Sequence, residues 1–372
     1  MNLQKLLIMI LPFFCTGSLA QTTLGWRGVV YDVGLKFTPE SCSVDTFDAA
    51  LVEYDMGVIA HTLHANAVRI EGEDIERLKM ATEIAHAAGL TVFFNPWKMN
   101  VGAGETVAYM TEAAKAAEEL RSKGIDLVFV AGCEYSLFNE GVLPGNNIAE
   151  RVSSLMPPSD IQEREAYVEK AKASIAKLNQ ILSAVCRAVR SHFKGRVTYS
   201  SGTWETVNWE MFDLIGVDYY RDVQTDEDYV AGIRRYQEQG KPVIVMEVGC
   251  CAYEGAAKRG GAGYAILQGT DAEGTPVYEG GVTPTRSERE QADYVRTQIS
   301  LLQDSGIQGL FIYVFSFPIS PYREQGFDPD MTSYSLVKTY PSDDARSRRM
   351  PPWVPKEAFH AVAEAFRRFD KE

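Results

Sequence analysis

The sequence predicts a single closed (β/α)8 barrel, the TIM-barrel architecture, and three observations carry that expectation. Eight short runs of β-branched, aromatic and aliphatic residues recur along the chain, each followed by a stretch with helical spacing. Glycines stand at the joins from helix to strand, where a left-handed residue ends a helix without steric cost. The joins from strand to helix are long at 133–159, 248–286 and 316–355, while the reverse joins are short. Loops after strand C-termini build the working face of such barrels.

The runs are Gly28–Asp32, Ala67–Ile70, Thr91–Asn95, Leu127–Gly132, Val197–Ser201, Leu214–Tyr219, Val243–Glu247 and Gly309–Phe315. Most are nearly continuously apolar, as parallel strands covered on both faces must be. Glu73–Ala88 and Glu105–Lys123 place apolar residues three and four apart, and Gln162–His192 is long and rich in alanine. Glu288–Ser305 opens with a capping box of Ser287 and Glu290, and Lys356–Phe369 follows a proline-rich entry. Gly89, Gly124, Gly195, Gly240 and Gly306 separate helices from the strands that follow. An open doubly wound sheet is the alternative arrangement of the same alternation.

Composition narrows the function classes. The 372 residues carry 37 Lys plus Arg against 50 Asp plus Glu, a net charge of −13. Such a surface suits neither a nucleic-acid backbone nor an anionic membrane. Met1–Ala20 reads as a cleavable export signal: Lys5, an apolar run Leu6–Cys15, then the small-x-small site Ser18-Leu19-Ala20. That run is too short to span a bilayer. The expectation is a secreted or periplasmic protein whose catalytic domain spans 21–372. Beyond Cys15 the cysteines are Cys42, Cys133, Cys186, Cys250 and Cys251, an odd count with no CxxC pair.

Two glutamates end two buried runs. Leu127–Gly132 leads into Cys133-Glu134, and Val243–Met246 leads into Glu247. A carboxylate at the tip of an apolar strand is costly unless paired or used. Strands 4 and 7 face each other across a barrel mouth, so both acids can enter one cleft. One carboxyl that protonates a leaving oxygen and one that attacks, or activates water, are what glycosidic cleavage requires. The alternative for each is a structural ion pair inside the barrel.

At these residues the chain resembles the clan A retaining glycoside hydrolases. Lys241–Gly249 is similar to their strand-7 nucleophile segment, Asp213–Tyr220 resembles strand 6 of the clan's galactanases, and Val68-Arg69-Ile70 resembles strand 2. The resemblance implies Glu247 as nucleophile and Glu134 as general acid/base. It implies Arg69 and either Tyr219 or Tyr220 as supports of Glu247. Two positions depart from the clan. Cys133 stands where an Asn contacts the sugar 2-hydroxyl, and strand 8 lacks the terminal Trp, offering Phe315 at the end of its run. Asn139-Glu140 is a second, later candidate for the acid/base.

Further residues suit a sugar site. Trp97 and Trp204 follow strands 3 and 5, where aromatic faces stack on sugars. Asp32 ends strand 1 and can bind a hydroxyl or cap structure. Glu71 reads as an ion-pair partner of Arg69, and Glu205 stays open between a site role and a structural one. His61 and His64 have no further ligand nearby, HExxH and Cys/His clusters are absent, and no metal or cofactor is implied. Gly-x-Ser-x-Gly and the Rossmann fingerprint are also missing. The glycine-rich stretch 255–281 suggests a mobile flap, and Lys258–Gly263 within it a weak phosphate cradle. The expected function is hydrolysis of a poly- or oligosaccharide by a retaining mechanism. The alternatives are a carbohydrate-binding barrel without catalysis and a lyase or phosphate-using barrel.

Overall fold

The computed structural model describes residues 24–272 and 275–371; the expected export signal lies outside the described residues. Eight parallel strands close into one barrel: β1 (Trp26–Asp32), β2 (Ala67–Gly72), β3 (Thr91–Pro96), β4 (Leu127–Cys133), β5 (Val197–Gly202), β6 (Ile215–Asp218), β7 (Val243–Val248) and β8 (Gly309–Ile312). Each pairs with its neighbours in sequence, and β8 closes onto β1 with Trp26 opposite Gly309. Closure leaves no barrel edge unpaired.

Strand alternation sorts the side chains. Val30, Ala67, Phe93, Val128, Val130, Leu214, Ile244, Met246 and Phe311 fill the lumen. Their strand neighbours Val29, Val68, Val92, Phe129, Val245 and Leu310 point outward into the larger core beneath the helices. The lumen is therefore packed shut at its base, and only its upper end is polar.

The helices are α1 (Ala49–His61), α2 (Ile75–Ala87), α3 (Ala103–Ser122), α4 (Arg164–His192), α5 (Asp226–Gln237), α6 (Glu288–Asp304) and α7 (Glu357–Arg367), with short helices at Tyr135–Phe138 and Ile148–Ser154. Asp48, Asp74, Thr225 and Ser287 cap their helices through side-chain oxygens. Three local expectations need correction. Between β5 and β6 there is only a 3₁₀ turn at Trp209–Met211, because that stretch is too short for a helix and two loops. Gly195 has no positive φ; it is small because a Cβ there would meet the Phe193 ring at 2.4 Å. The capping box is half formed. Ser287 accepts from Glu290 N, but the Glu290 carboxylate accepts from Gly255 and Ala257 N–H groups and so anchors the loop after β7.

Among its described residues that glycine-rich loop forms three 3₁₀ turns and a hairpin, Leu267–Thr270 with Pro276–Tyr278. The Tyr253 hydroxyl donates to Gly263 O at 2.7 Å, and Arg259 pairs with Glu279 at 2.6 Å. The loop after β8 is held by a buried pair, Lys356 with Asp330 at 2.8 Å, and by Arg286 on Asp328 and Asp330. The five described cysteines are free thiols. Among the described residues no helix is long and apolar enough to cross a membrane.

Asp55 on α1 joins barrel to C-terminal segment. It accepts from Tyr31 OH at 2.8 Å and Trp353 Nε1 at 2.9 Å, and burial pushes its carboxyl up to about 7. From about pH 4 to 7 the folded chain thus holds a proton that the unfolded chain has released, so this group's contribution to stability declines as pH rises through that window. Asp55→Ala leaves two buried donors unpaired, at about 1–3 kcal/mol each. Urea unfolding at a series of pH values should show that loss together with a flatter stability profile between pH 4 and 7.

Candidate active site

The upper end of the lumen gathers acids around one cation. Arg69 on β2 is fully buried. Its Nη1 donates to Glu247 Oε1 at 2.8 Å and to Met246 O at 3.1 Å, and its Nε donates to Asn95 Oδ1 at 2.8 Å. Its Nη2 lies 3.2 Å from Glu71 Oε2, and Nη1 lies 3.9 Å from Asp218 Oδ1. Glu71 is the ion-pair partner that the sequence suggests. Its burial drives the carboxyl well above the usual range, against the lowering effect of Arg69.

Two bulges aim the key residues. In β7 the register slips between Val245 and Glu247 as read against β6, and between Val245 and Val248 as read against β8. Met246 therefore stays in the lumen, and Glu247 turns inward one residue later. In β4 the register slips between Val130 and Cys133, with Gly132 at φ +101°, and the Cys133 thiol faces Glu247 Oε1 at 3.8 Å and Asp218 Oδ2 at 3.6 Å.

Glu134 leaves the strand in the left-handed region, φ 42° and ψ 48°. For a residue other than glycine this costs on the order of 1–3 kcal/mol. Its N–H donates to Ser200 O at 2.9 Å, and the next amide, Tyr135 N–H, donates to Tyr199 OH at 2.7 Å, which fixes the turn. Burial, then the negative charges of Asp218, Glu247 and Glu205, raise its carboxyl well above the usual range. Glu247 is differently placed. Besides Arg69 it accepts from Tyr220 OH at 2.9 Å, so both of its oxygens face donors. One glutamate is held among acids and the other among donors.

The other expected residues divide. Tyr220 makes the bond to Glu247 that the resemblance left open between two tyrosines. Tyr219 instead donates to Tyr229 O at 2.7 Å and stacks on the Tyr229 ring, away from the acids. Trp204 is 40% exposed, with Nε1 donating to Ser136 Oγ at 3.0 Å. Trp97 is buried edge-on against Phe138, and its Nε1 has no partner. Asp32 accepts from Gly34 N–H, its second oxygen is unpartnered, and burial raises it to about 6. Phe315 is a correction. It is fully buried between Tyr31 and Trp353, because β8 ends at Ile312 and the alternation breaks. Tyr313, two residues earlier, is half-buried, and burial, then the negative charges of Glu71 and Glu247, raise its hydroxyl's pKa. Asn139 is buried and bonds Thr106 and Lys98 O, while Glu140 is exposed. Glu205 accepts from Ser136 N–H and Tyr199 OH beside Glu134.

No protein-family model and no curated protein matches the sequence. Solved structures do. A GH113 β-1,4-mannanase complex aligns over 93% of this chain and 99% of its own, at 15% identity and a TM-score of 0.55. The GH113 β-mannanase AaManA from Alicyclobacillus acidocaldarius aligns over 94% and 99%, at 16% identity and a TM-score of 0.57. The chain shares their barrel fold. A β-glucuronidase from Ruminococcus gnavus matches 92% of this chain but 49% of its own, at 11% identity and a TM-score of 0.51. The first two likenesses run nearly end to end.

Asp218 is the residue that sequence reasoning passed over. It ends a buried run just as Glu134 and Glu247 do, and that signal was available in Ile215–Asp218. Ser200 Oγ donates to its Oδ1 at 2.6 Å, and burial, then Glu247, pushes its carboxyl up to about 8. Ligand-type atoms of Cys133, Asp218 and Glu247 lie within 4.8 Å of one another, but the Arg69 guanidinium already supplies positive charge there.

Arg69→Met removes the cation that Glu247, Glu71 and Asp218 share. Breaking a buried pair in this way costs about 3–5 kcal/mol. Glu71 and Asp218 then favour the protonated form still more, so the lost stability should be greatest at pH 8 and partly restored at pH 5, as read by denaturant unfolding.

Proposed function

We propose that the chain is an exported glycoside hydrolase acting on a poly- or oligosaccharide by a retaining double displacement, without cofactor. The observation that carries this reading is the contrast between the two glutamates. Glu247 sits between Arg69 and Tyr220, an arrangement that suits a carboxylate anion. Glu134 sits among other acids, which favour its protonated form.

In the first step Glu134 gives its proton to the glycosidic oxygen while Glu247 attacks the anomeric carbon. The leaving sugar departs as an alcohol, and a glycosyl ester forms on Glu247. In the second step Glu134, now a carboxylate, takes a proton from water. The resulting attack on the anomeric carbon releases Glu247. Tyr220 and Arg69 hold the carboxylate in line, and Trp204 offers a ring face at the mouth. The fold shared with β-mannanases makes β-1,4-linked manno-oligosaccharides the first substrates to try.

The test is product release over a panel of neutral poly- and oligosaccharides, with NMR of the first-formed anomer. Glu247→Ala should abolish turnover, and Glu134→Ala should slow unactivated substrates by about 10²–10⁴. An unimpaired Glu247→Ala, or a product of inverted configuration, would overturn the reading. The Cys133 thiol, in place of the clan's amide, favours a second reading, a sugar-binding barrel without turnover. Calorimetric binding of an oligosaccharide that the chain never cleaves would support it.

A further inference from the structure

We infer that Glu205 is a positioning residue for Glu134: it stands in for the missing cap of the turn that carries Glu134, and so leaves the Glu134 carboxyl free for the cleft. The consequence in catalysis rests on the hydrolase reading; the geometry does not. Glu134 is the N-cap of the short helix Tyr135–Phe138, its backbone is left-handed, and its side chain makes no capping bond. A helix start without a cap leaves its first amides unpartnered, and a left-handed residue other than glycine persists only where its surroundings fix it. Here β5 and its tip do the fixing. Three successive amides donate to them: Glu134 N–H to Ser200 O at 2.9 Å, Tyr135 N–H to the Tyr199 hydroxyl at 2.7 Å, and Ser136 N–H to Glu205 Oε1 at 2.9 Å. Because the Tyr199 hydroxyl accepts from Tyr135, its own proton turns to Glu205, whose Oε2 lies 3.0 Å away. Glu205 therefore holds two of the three amides, one directly and one through Tyr199. A carboxylate suits the place, since it accepts from both donors and offers none of its own.

The same tip seats an exposed ring. Glu205 N–H donates to Gly202 O at 3.0 Å, closing a tight turn that leaves Trp204 40% exposed while Glu205 reaches Tyr199. A Cβ on Gly202 would meet the Trp204 ring at 2.3 Å, so the ring lies directly on the end of β5. Trp204 Nε1 donates to Ser136 Oγ at 3.0 Å. Ser136 is thus bonded through its amide to Glu205 and through its hydroxyl to Trp204. The aromatic platform and the turn bearing Glu134 are keyed to one residue, so a sugar stacked on Trp204 sits at a fixed offset from the acid.

Two substitutions grade the effect. Glu205→Ala removes both acceptors, whereas Glu205→Gln keeps one, so the turn loosens more in the first. Amide hydrogen exchange over Glu134–Phe138 reads this without a substrate, and in Glu205→Ala it should quicken by about tenfold, the worth of one or two net hydrogen bonds. In the same variant kcat/KM for oligosaccharides and methyl glycosides should fall by about 10², since their leaving oxygen must be protonated. Aryl glycosides with strongly acidic leaving groups need no proton in the first step and should keep nearly all of their kcat/KM. Glu205→Gln should lie between wild type and Glu205→Ala in both measurements. A merely structural defect slows both substrate classes alike. If Glu205→Ala does not fold, Glu205→Gln and Tyr199→Phe decide, the latter removing the hydroxyl that links Tyr135 to Glu205. Exchange unchanged in the folded variants, or equal losses for both substrate classes, would overturn the inference. A wild-type chain that cleaves no glycoside overturns the hydrolase reading instead, and the exchange rates still decide whether Glu205 holds the turn.

Discussion

One buried guanidinium organises this molecule's working end. Arg69 is fully enclosed, and an enclosed cation persists only when anions and carbonyls replace its water. Asn95, Met246 O, Glu247 and Glu71 do so from β3, β7 and its own strand. The same cation is too little for the acids around it. Glu71, Glu134 and Asp218 are all driven toward their protonated forms, with burial the first cause in each. Charge balance, more than any single hydrogen bond, decides which oxygen carries a proton. The acid in closest contact with Arg69 is the one placed to act as an anion.

The barrel supplies the geometry that this balance needs. A regular strand would alternate, and Glu247 would then face the helices once Met246 faced the lumen. The slip in β7 breaks that alternation at the one place where it brings a carboxylate to Arg69. The slip in β4 does the same for Cys133 and sends Glu134 out through a left-handed turn. Both irregularities sit at strand C-termini, above a lumen packed with Phe93, Met246 and Phe311. Strain in the turn is balanced by rigid hydrogen bonds from β5.

Much of this was legible in the sequence, because apolar runs and helix-ending glycines report burial and chain reversal directly. All eight strands fall where their runs lie. The two glutamates could be placed at strand tips, since ionisable groups next to apolar runs announce an environment that must compensate them, whereas Arg69 and the choice between Tyr219 and Tyr220 came only from the family resemblance. What could not be read were features that break a pattern. Phe315 follows the period of β8 on paper, but the regular strand ends at Ile312 and the ring turns outward against Trp353. Tyr219 and Tyr220 are neighbours of equal chemistry, and only the direction of one peptide separates a core ring from a ligand of Glu247. Glu290 fits a capping box by spacing, yet tertiary contact with the loop after β7 outbids the local bond.

The exchange of an amide for a thiol at Cys133 bears on the same balance. An amide at that position would donate to a neighbouring carboxylate and so favour its ionised form. The thiol is a weak donor, lies 3.6 Å from Asp218 and 3.8 Å from Glu247, and is itself kept neutral by burial. It therefore stabilises ionised acids less than an amide would, and the proton on Asp218 is held more firmly as a result. Under the proposed mechanism, a substitution that reads as a loss of sugar contact is thus also a change in the electrostatics beside Glu134. The two effects have different signatures, since lost contact weakens binding whereas a more firmly held proton shifts the pH range over which the acid can act.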